Sequence, residues 1–143
     1  MDRIKQAVDL FTKGHNCSQA VLAPYAEEFG LPMSTVLKIS GGFGGGIGRQ
    51  GHICGALTGA IMVLGLKYGT DNPTDKTSKN DLYKRVKQIS EEFKIRAGSM
   101  FCKDLLGFDM TTPEGMEQAK APGAYDECPE YVRIAVEILD QDL

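Results

Sequence analysis

The chain lacks three things that would make its function easy to assign: a Cys-x-x-Cys pair, a long apolar run and any clustering of positive charge. Without Cys-x-x-Cys there is neither a thioredoxin-type dithiol nor a pair of zinc knuckles, and without Cys-x-x-Cys-His there is no covalent haem. The four cysteines, Cys17, Cys54, Cys102 and Cys128, match no compact metal motif, so any site they share must be assembled by the tertiary fold. The longest apolar stretch, Ile53 to Leu66, covers about 14 residues, short of the roughly 20 that a membrane-spanning helix needs, and it reads as a buried core helix. The formal net charge is -3, with Lys and Arg scattered among the acids, which argues against a nucleic-acid partner. The N-terminal MDRIKQAVDLFTKG has an amphipathic helix pattern and no apolar signal-peptide region. A reducing, cytoplasmic compartment is therefore expected, where cysteines serve metal, catalytic or redox-sensing roles more often than permanent disulfides.

What the sequence has in abundance is glycine, concentrated at one place. Eight of the fifteen residues from Gly41 to Gly55 are glycine, and an apolar helix pattern follows directly. Glycine adopts backbone angles that other residues avoid and allows close approach, at an entropic cost. The run is read as a loop that delivers Cys54 to the start of a helix.

The remaining segments predict helices throughout. Ile4, Ala7, Val8 and Phe11 recur at helical spacing and Gly14 ends that helix. Asn16 is a good N-cap, which puts Cys17 at the first position of a helix running towards Phe29, with Pro24 expected to kink or divide it. A short segment from Thr35 to Ser40 is read as helix because no partner strand is visible. In Cys54 to Tyr68, Gly55 and Gly59 are four apart, as are Ala56 and Ala60, forming a groove for a neighbouring helix of this chain or of a second copy, so a homodimer is an open outcome. A polar loop from Thr70 to Ser78 precedes a long helix from about Lys79 to Ala97. Gly98 ends it, and Ser99 is the expected cap of the next, with Cys102 in its first turn. A short helix opens at Thr112-Pro113-Glu114, and Asp126 is the expected cap of a last helix carrying Cys128 and Pro129 in its first turn. The expected architecture is a single all-α domain over residues 1–143, a bundle of about six helices with no internal repeat.

Every cysteine thus falls at or near a predicted helix start. The partial positive charge and free N–H groups there stabilise a thiolate, which is both the nucleophile and the metal ligand. Four such thiols can pair as disulfides or hold one metal centre, an iron–sulfur cluster or zinc. His15 and His52 each stand two residues before a cysteine, as imidazolium neighbours or as further metal ligands. The plainer alternatives are buried cysteines that pack as small hydrophobes and histidines that serve in loops or caps.

The glycine loop also contains Gly46-Ile47-Gly48-Arg49-Gln50-Gly51, which fits G-x-G-x-x-G. The dinucleotide fingerprint needs a preceding strand, a second strand and an acidic residue at its end. Here the chain after Leu66 ends a helix, and no Walker lysine follows. Arg49, with Gly44, Gly46 and Gly48 and their backbone N–H groups, remains a candidate for holding a small anion or a substrate carboxylate.

These residues carry a resemblance. Cys54-Gly55-Ala56-Leu57-Thr58-Gly59 fits a CGAxxG motif, GHNCSQA spans Gly14 to Ala20, and Phe101-Cys102 and Cys128-Pro129-Glu130-Tyr131-Val132 follow in order. The chain closely resembles the bacterial and archaeal C_GCAxxG_C_C family, over nearly its whole length. The resemblance implies redox activity and makes Cys17, Cys54, Cys102 and Cys128 the four family cysteines. Related sequence forms part of split-Soret cytochromes, where a cysteine-bound iron–sulfur centre has been considered; this chain lacks the haem motifs and looks like the stand-alone form.

Three functions follow as expectations. The first is thiol–disulfide redox chemistry with Cys54 or Cys17 as nucleophile, acting on a thiol partner or an electron donor or acceptor. The second is a cysteine-ligated metal or cluster, and the third is a non-catalytic helical interaction module.

Overall fold

The structure, a computed structural model, describes residues 2–142. Helix α1, Arg3–Thr12, starts where the Asp2 carboxylate accepts a hydrogen bond from the Lys5 N–H at 3.1 Å. It ends two residues before Gly14, which turns the chain at a φ of 111°. Helix α2, Cys17–Leu22, opens with a reciprocal cap: the Asn16 side chain accepts from the Gln19 N–H, and the Gln19 side chain accepts from the Asn16 N–H. Pro24 divides the segment as expected, since α2 gives way to a 3-10 turn at Ala23–Tyr25 and no α-helix reaches Phe29.

The rest follows in order as α3 (Met33–Ser40), α4 (Gly55–Tyr68), α5 (Lys76–Ala97), α6 (Cys102–Leu106), α7 (Pro113–Ala119) and α8 (Cys128–Asp142). Eight α-helices stand among the described residues where about six were expected, and the short segments at Cys102 and after Thr112 that read as helices are among them as α6 and α7. Helix α5 starts three residues earlier than expected. Asp75 accepts from the Ser78 N–H at 3.0 Å, so the cap sits inside what reads as a polar loop. Ser99 does not cap α6; Phe101 is the N-cap, and the Ser99 hydroxyl instead accepts from the Phe101 N–H and donates to the Asp104 carboxylate. Among the described residues no strand forms, and the β-type pairing is an isolated antiparallel bridge between Ile53 and Phe101.

The core lies between α2, α4 and α8, with α1 and α5 packed around them. Helix α4 is apolar on nearly all sides, and Ala56, Leu57, Ala60, Val63 and Leu64 are buried. Helix α8 contributes Val132, Ala135, Val136 and Leu139 as its buried stripe. By contrast, α5 buries only Ile89 and Phe93 and is otherwise a charged outer face. Each fully buried leucine or isoleucine contributes about 1.5–3 kcal/mol through loss of water contact. Tyr25, fully enclosed under α1, donates its hydroxyl to Asp140 at 3.1 Å and has the Arg3 guanidinium over its ring.

The small-residue groove of α4 is filled from within the chain. A Cβ added at Gly55 would lie 3.0 Å from the Ser18 nitrogen, and one at Gly59 would lie 2.8 Å from the Ser18 carbonyl oxygen. The occupant is therefore α2, and this face is closed to a second copy. Gly59→Ala is expected to destabilise the fold by about 1–3 kcal/mol, because backbone must move to make room. Gly65→Ala, in the same helix with nothing within 4 Å of the added carbon, is expected to stabilise it by about 0.5–1 kcal/mol. Urea denaturation of the two variants checks the opposite signs.

Candidate functional site

All four cysteines stand at helix starts. Cys17, Cys102 and Cys128 are the first residues of α2, α6 and α8, and Cys54 is the N-cap of α4. Two of these starts are joined by backbone. The Cys54 N–H donates to the Met100 carbonyl at 2.8 Å, the Cys102 N–H donates to the His52 carbonyl at 2.7 Å, and the Lys103 N–H donates to Gly51 at 3.2 Å. These bonds flank the Ile53–Phe101 bridge, so the segment entering α4 and the segment entering α6 run antiparallel and carry Cys54 and Cys102 together. The other two starts arrive through packing, since α2, α4 and α8 are mutual neighbours.

The glycine loop is the wall of this arrangement. Gly45, Gly46, Ile47, Gly48 and Arg49 all have φ between 58° and 70°, so five consecutive residues wind in the left-handed sense, followed by Gly51 at 75°. A left-handed conformation costs about 1–2 kcal/mol for a residue with a side chain, and here only Ile47 and Arg49 bear that strain. Gly46 is required for space as well. A Cβ there would lie 2.6 Å from both the Cys102 Cβ and the His52 nitrogen.

The N–H groups of Ile47, Gly48, Arg49, Gln50, Gly51 and His52 all donate to carbonyls within the loop, to Phe43, Gly42, Gly44, Ile47, Gly45 and Gly46 respectively. The N–H groups of Gly48 and Arg49, expected to be free, are thus satisfied inside the left-handed turn. Gly44, Gly48 and Arg49 do line an open cleft of about 310 Å³ together with Asn16, Gly41 and Gly42. Gly46 does not line that cleft and faces Cys102 instead.

The thiols are not equivalent. Cys54, Cys102 and Cys128 are buried, at 4%, 9% and 6% exposure, and Cys17 is half-buried. The Cys17 thiol interacts with the thiols of both Cys128 and Cys54, which with burial push its pKa well above the ordinary value. Cys54 shifts the other way. The Cys17 thiol, and then the backbone N–H groups of Ala56 and Leu57 in the first turn of α4, favour its thiolate and outweigh burial. Cys102 is pushed up to about 12 by burial, with the charges of Cys54 and Cys128 adding to the effect. Neither histidine is among the groups that shift these thiols; His52 is exposed and contributes its backbone.

Three features were not anticipated from the sequence. Tyr125 lies within electrostatic reach of Cys128 and Cys102, and Tyr131 within reach of Cys128 and Cys54, so two phenols flank the thiols. Each is three residues from Cys128, one before α8 and one a turn inside it, and that spacing is the signal that was available. The third is Ser18, whose fully buried hydroxyl has no partner among the described residues.

A metal would need several donors aimed at one point. Among the described residues no group of three or more His, Cys, Asp or Glu side chains is so arranged, and the four thiols as placed do not fit a metal centre. No helix of the structure is long and apolar enough to cross a membrane.

Comparison with known proteins accords with the thiol-centred geometry. The model of the family described as "Putative redox-active protein (C_GCAxxG_C_C)" matches residues 15–141, a span that contains all four cysteines. The chain belongs to this family. An uncharacterized protein of Archaeoglobus fulgidus is 28% identical over 144 residues, covering 94% of this chain and 88% of the relative. No solved structure matches.

The shifts generate a direct expectation for this C_GCAxxG_C_C protein. Alkylation of Cys54 by iodoacetamide should rise with pH through a midpoint below that of an ordinary thiol, because a lowered pKa keeps the thiolate to lower pH. Cys102 should stay unmodified until the pH approaches about 12. Cys17→Ala removes the largest influence on Cys54 and should move its midpoint upward, read by peptide mass spectrometry across a pH series.

Proposed function

We infer that this protein carries out thiol–disulfide redox chemistry, with Cys54 as the reactive thiolate and Cys17 as its resolving thiol. The observation that carries this reading is the close approach of Cys17 to the start of α4, where a Cβ at Gly55 would lie 3.1 Å from the Cys17 Cβ. The opposite shifts of the two thiols support it, Cys54 towards its charged form and Cys17 towards its protonated one. In a buried pair this is the arrangement expected when a single negative charge is shared, since a second would be strongly opposed.

The steps balance without a cofactor. The Cys54 thiolate attacks one oxygen of a peroxide, forming an S–O bond as the O–O bond breaks, and the departing oxygen leaves as hydroxide or alkoxide. Cys17 then gives up its proton and attacks the sulfenic sulfur, so that an S–S bond replaces the S–O bond and water leaves. With a small disulfide as oxidant, Cys54 displaces one thiolate to form a mixed disulfide and Cys17 displaces the other. Either way the two cysteines lose two electrons and the substrate gains them. The low exposure of Cys54 favours a small oxidant over the disulfide of a folded protein.

The experiment is peroxide titration of protein purified anaerobically without a metal-affinity tag, together with iron, zinc and inorganic sulfide analysis. The expected result is one Cys17–Cys54 disulfide in the early product, no stoichiometric metal, and a loss of about tenfold or more in oxidation rate for Cys54→Ser. Stoichiometric iron with sulfide, or zinc, would make the cysteines ligands and overturn the reading. An oxidation rate unchanged in Cys54→Ser would overturn the choice of nucleophile.

A further inference from the structure

Cys17 has two thiol neighbours, and the chemistry above uses only one. It opens α2, and the helices packed on α2 in the core include α4 and α8, each of which also begins at a cysteine. The Cys17 side chain interacts with both Cys54 and Cys128, whereas Cys54 has Cys17 as its thiol contact. Close approach brings Cys17 to the start of α4, since a Cβ at Gly55, the residue after Cys54, would lie 3.1 Å from the Cys17 Cβ. Cys128 is buried and has no role in the chemistry above.

We propose that Cys17 is a pivot, and that its disulfide with Cys54 is passed on to Cys128, so that the oxidised protein rests with Cys17 joined to Cys128 and Cys54 free. This rests on the Cys54–Cys17 reading above. The exchange is an internal rearrangement. The Cys128 sulfur attacks the Cys17 sulfur, a Cys17–Cys128 bond forms as the Cys17–Cys54 bond breaks, and Cys54 departs as thiolate. The proton of Cys128 is released or taken up by Cys54, and no further oxidant or reductant is consumed.

The direction follows from the leaving group. In thiol–disulfide exchange the thiol of lower pKa leaves faster. Cys54 sits against the Ala56 and Leu57 N–H groups that favour its charge, whereas Cys17 has no comparable backbone support, so attack at Cys17 expels the better leaving group. The consequence is functional: the reactive thiolate is regenerated while the oxidising equivalents wait on a different pair.

The test is a time course on the wild-type protein. Oxidation with one equivalent of bis(2-hydroxyethyl) disulfide is quenched in acid, free thiols are alkylated and disulfide-linked peptides are mapped by mass spectrometry. The expected sequence is Cys17–Cys54 first and Cys17–Cys128 as the end product, with Cys54 again alkylatable. In Cys128→Ser the reaction should stop at Cys17–Cys54, while Cys102→Ser should reach the wild-type end product. Persistence of Cys17–Cys54 with Cys128 free in the wild type would overturn the relay and leave the Cys54 reading intact. A time course in which no disulfide to Cys54 forms at any point, with Cys17–Cys128 formed directly, would overturn both. The wild-type mapping decides the matter even where a variant folds poorly.

Discussion

The sulfur site depends on how closely α2 approaches α4. Two glycines on α4 replace what would be side chains with the backbone of Ser18, and any added carbon at Gly59 would collide with a carbonyl oxygen that cannot swing away. That contact fixes Cys17 against the start of α4, because Cys17 and Ser18 are adjacent in one short helix held by the Asn16–Gln19 cap. Loosening it by an ångström would leave every helix intact and still separate the two thiols. The stability of the core and the reactivity of Cys54 thus draw on the same packing, and a helix start alone would not give the chemistry. Cys102 opens a helix too, yet burial pushes its pKa up to about 12. What distinguishes Cys54 is the neighbouring Cys17 thiol, supplied by tertiary contact.

The glycine loop solves a separate problem. Between the end of α3 and Cys54 the chain must reverse tightly enough to lay Gly51 to Cys54 against Met100 to Lys103. A left-handed turn does this while bonding its own N–H groups, which explains glycine at Gly45, Gly46, Gly48 and Gly51. The same sequence satisfies a nucleotide-binding pattern, but the N–H groups that would cradle a phosphate from Ile47 onward are already used and no strand precedes them. A motif made of glycines reports backbone freedom, and the surrounding structure decides its use.

Much of this was legible in the residues. Asn16 caps α2, the GALTG groove receives a helix, and all four cysteines open helices, each of these a matter of local chemistry within a few positions. The errors came where two local signals competed. Ser99 and Phe101 both precede α6, and the serine was taken up by Asp104; for α5 the polar residues before Lys79 read as loop, yet Asp75 caps the helix from among them. What no local reading could reach was the pairing of thiols that lie far apart in sequence. That the Cys17 thiol is shifted by Cys54 and Cys128, and that neither histidine is among the groups that shift the thiols, are consequences of how α2, α4 and α8 pack. The left-handed turn was equally hidden, since Ile47 and Arg49 are residues that ordinarily avoid it.

Burial shapes what these thiols can do. A thiolate in an apolar core is opposed by desolvation, and at Cys54 the opposition is overcome only by the donors arranged around it. A disulfide carries no charge and no unsatisfied proton, so oxidation replaces a group that the core resists with one that it accepts. The surroundings that hold one charge at Cys54 also oppose a second on Cys17, whose pKa is raised. A fully ionised dithiol is therefore disfavoured, and of the two thiols Cys54 is the one that ionises first. Once ionised, Cys54 is the sulfur able to begin a reaction, while Cys17 keeps its proton. On the reading proposed above, the order of events, attack by Cys54 and resolution by Cys17, follows from the packing of α2 on α4.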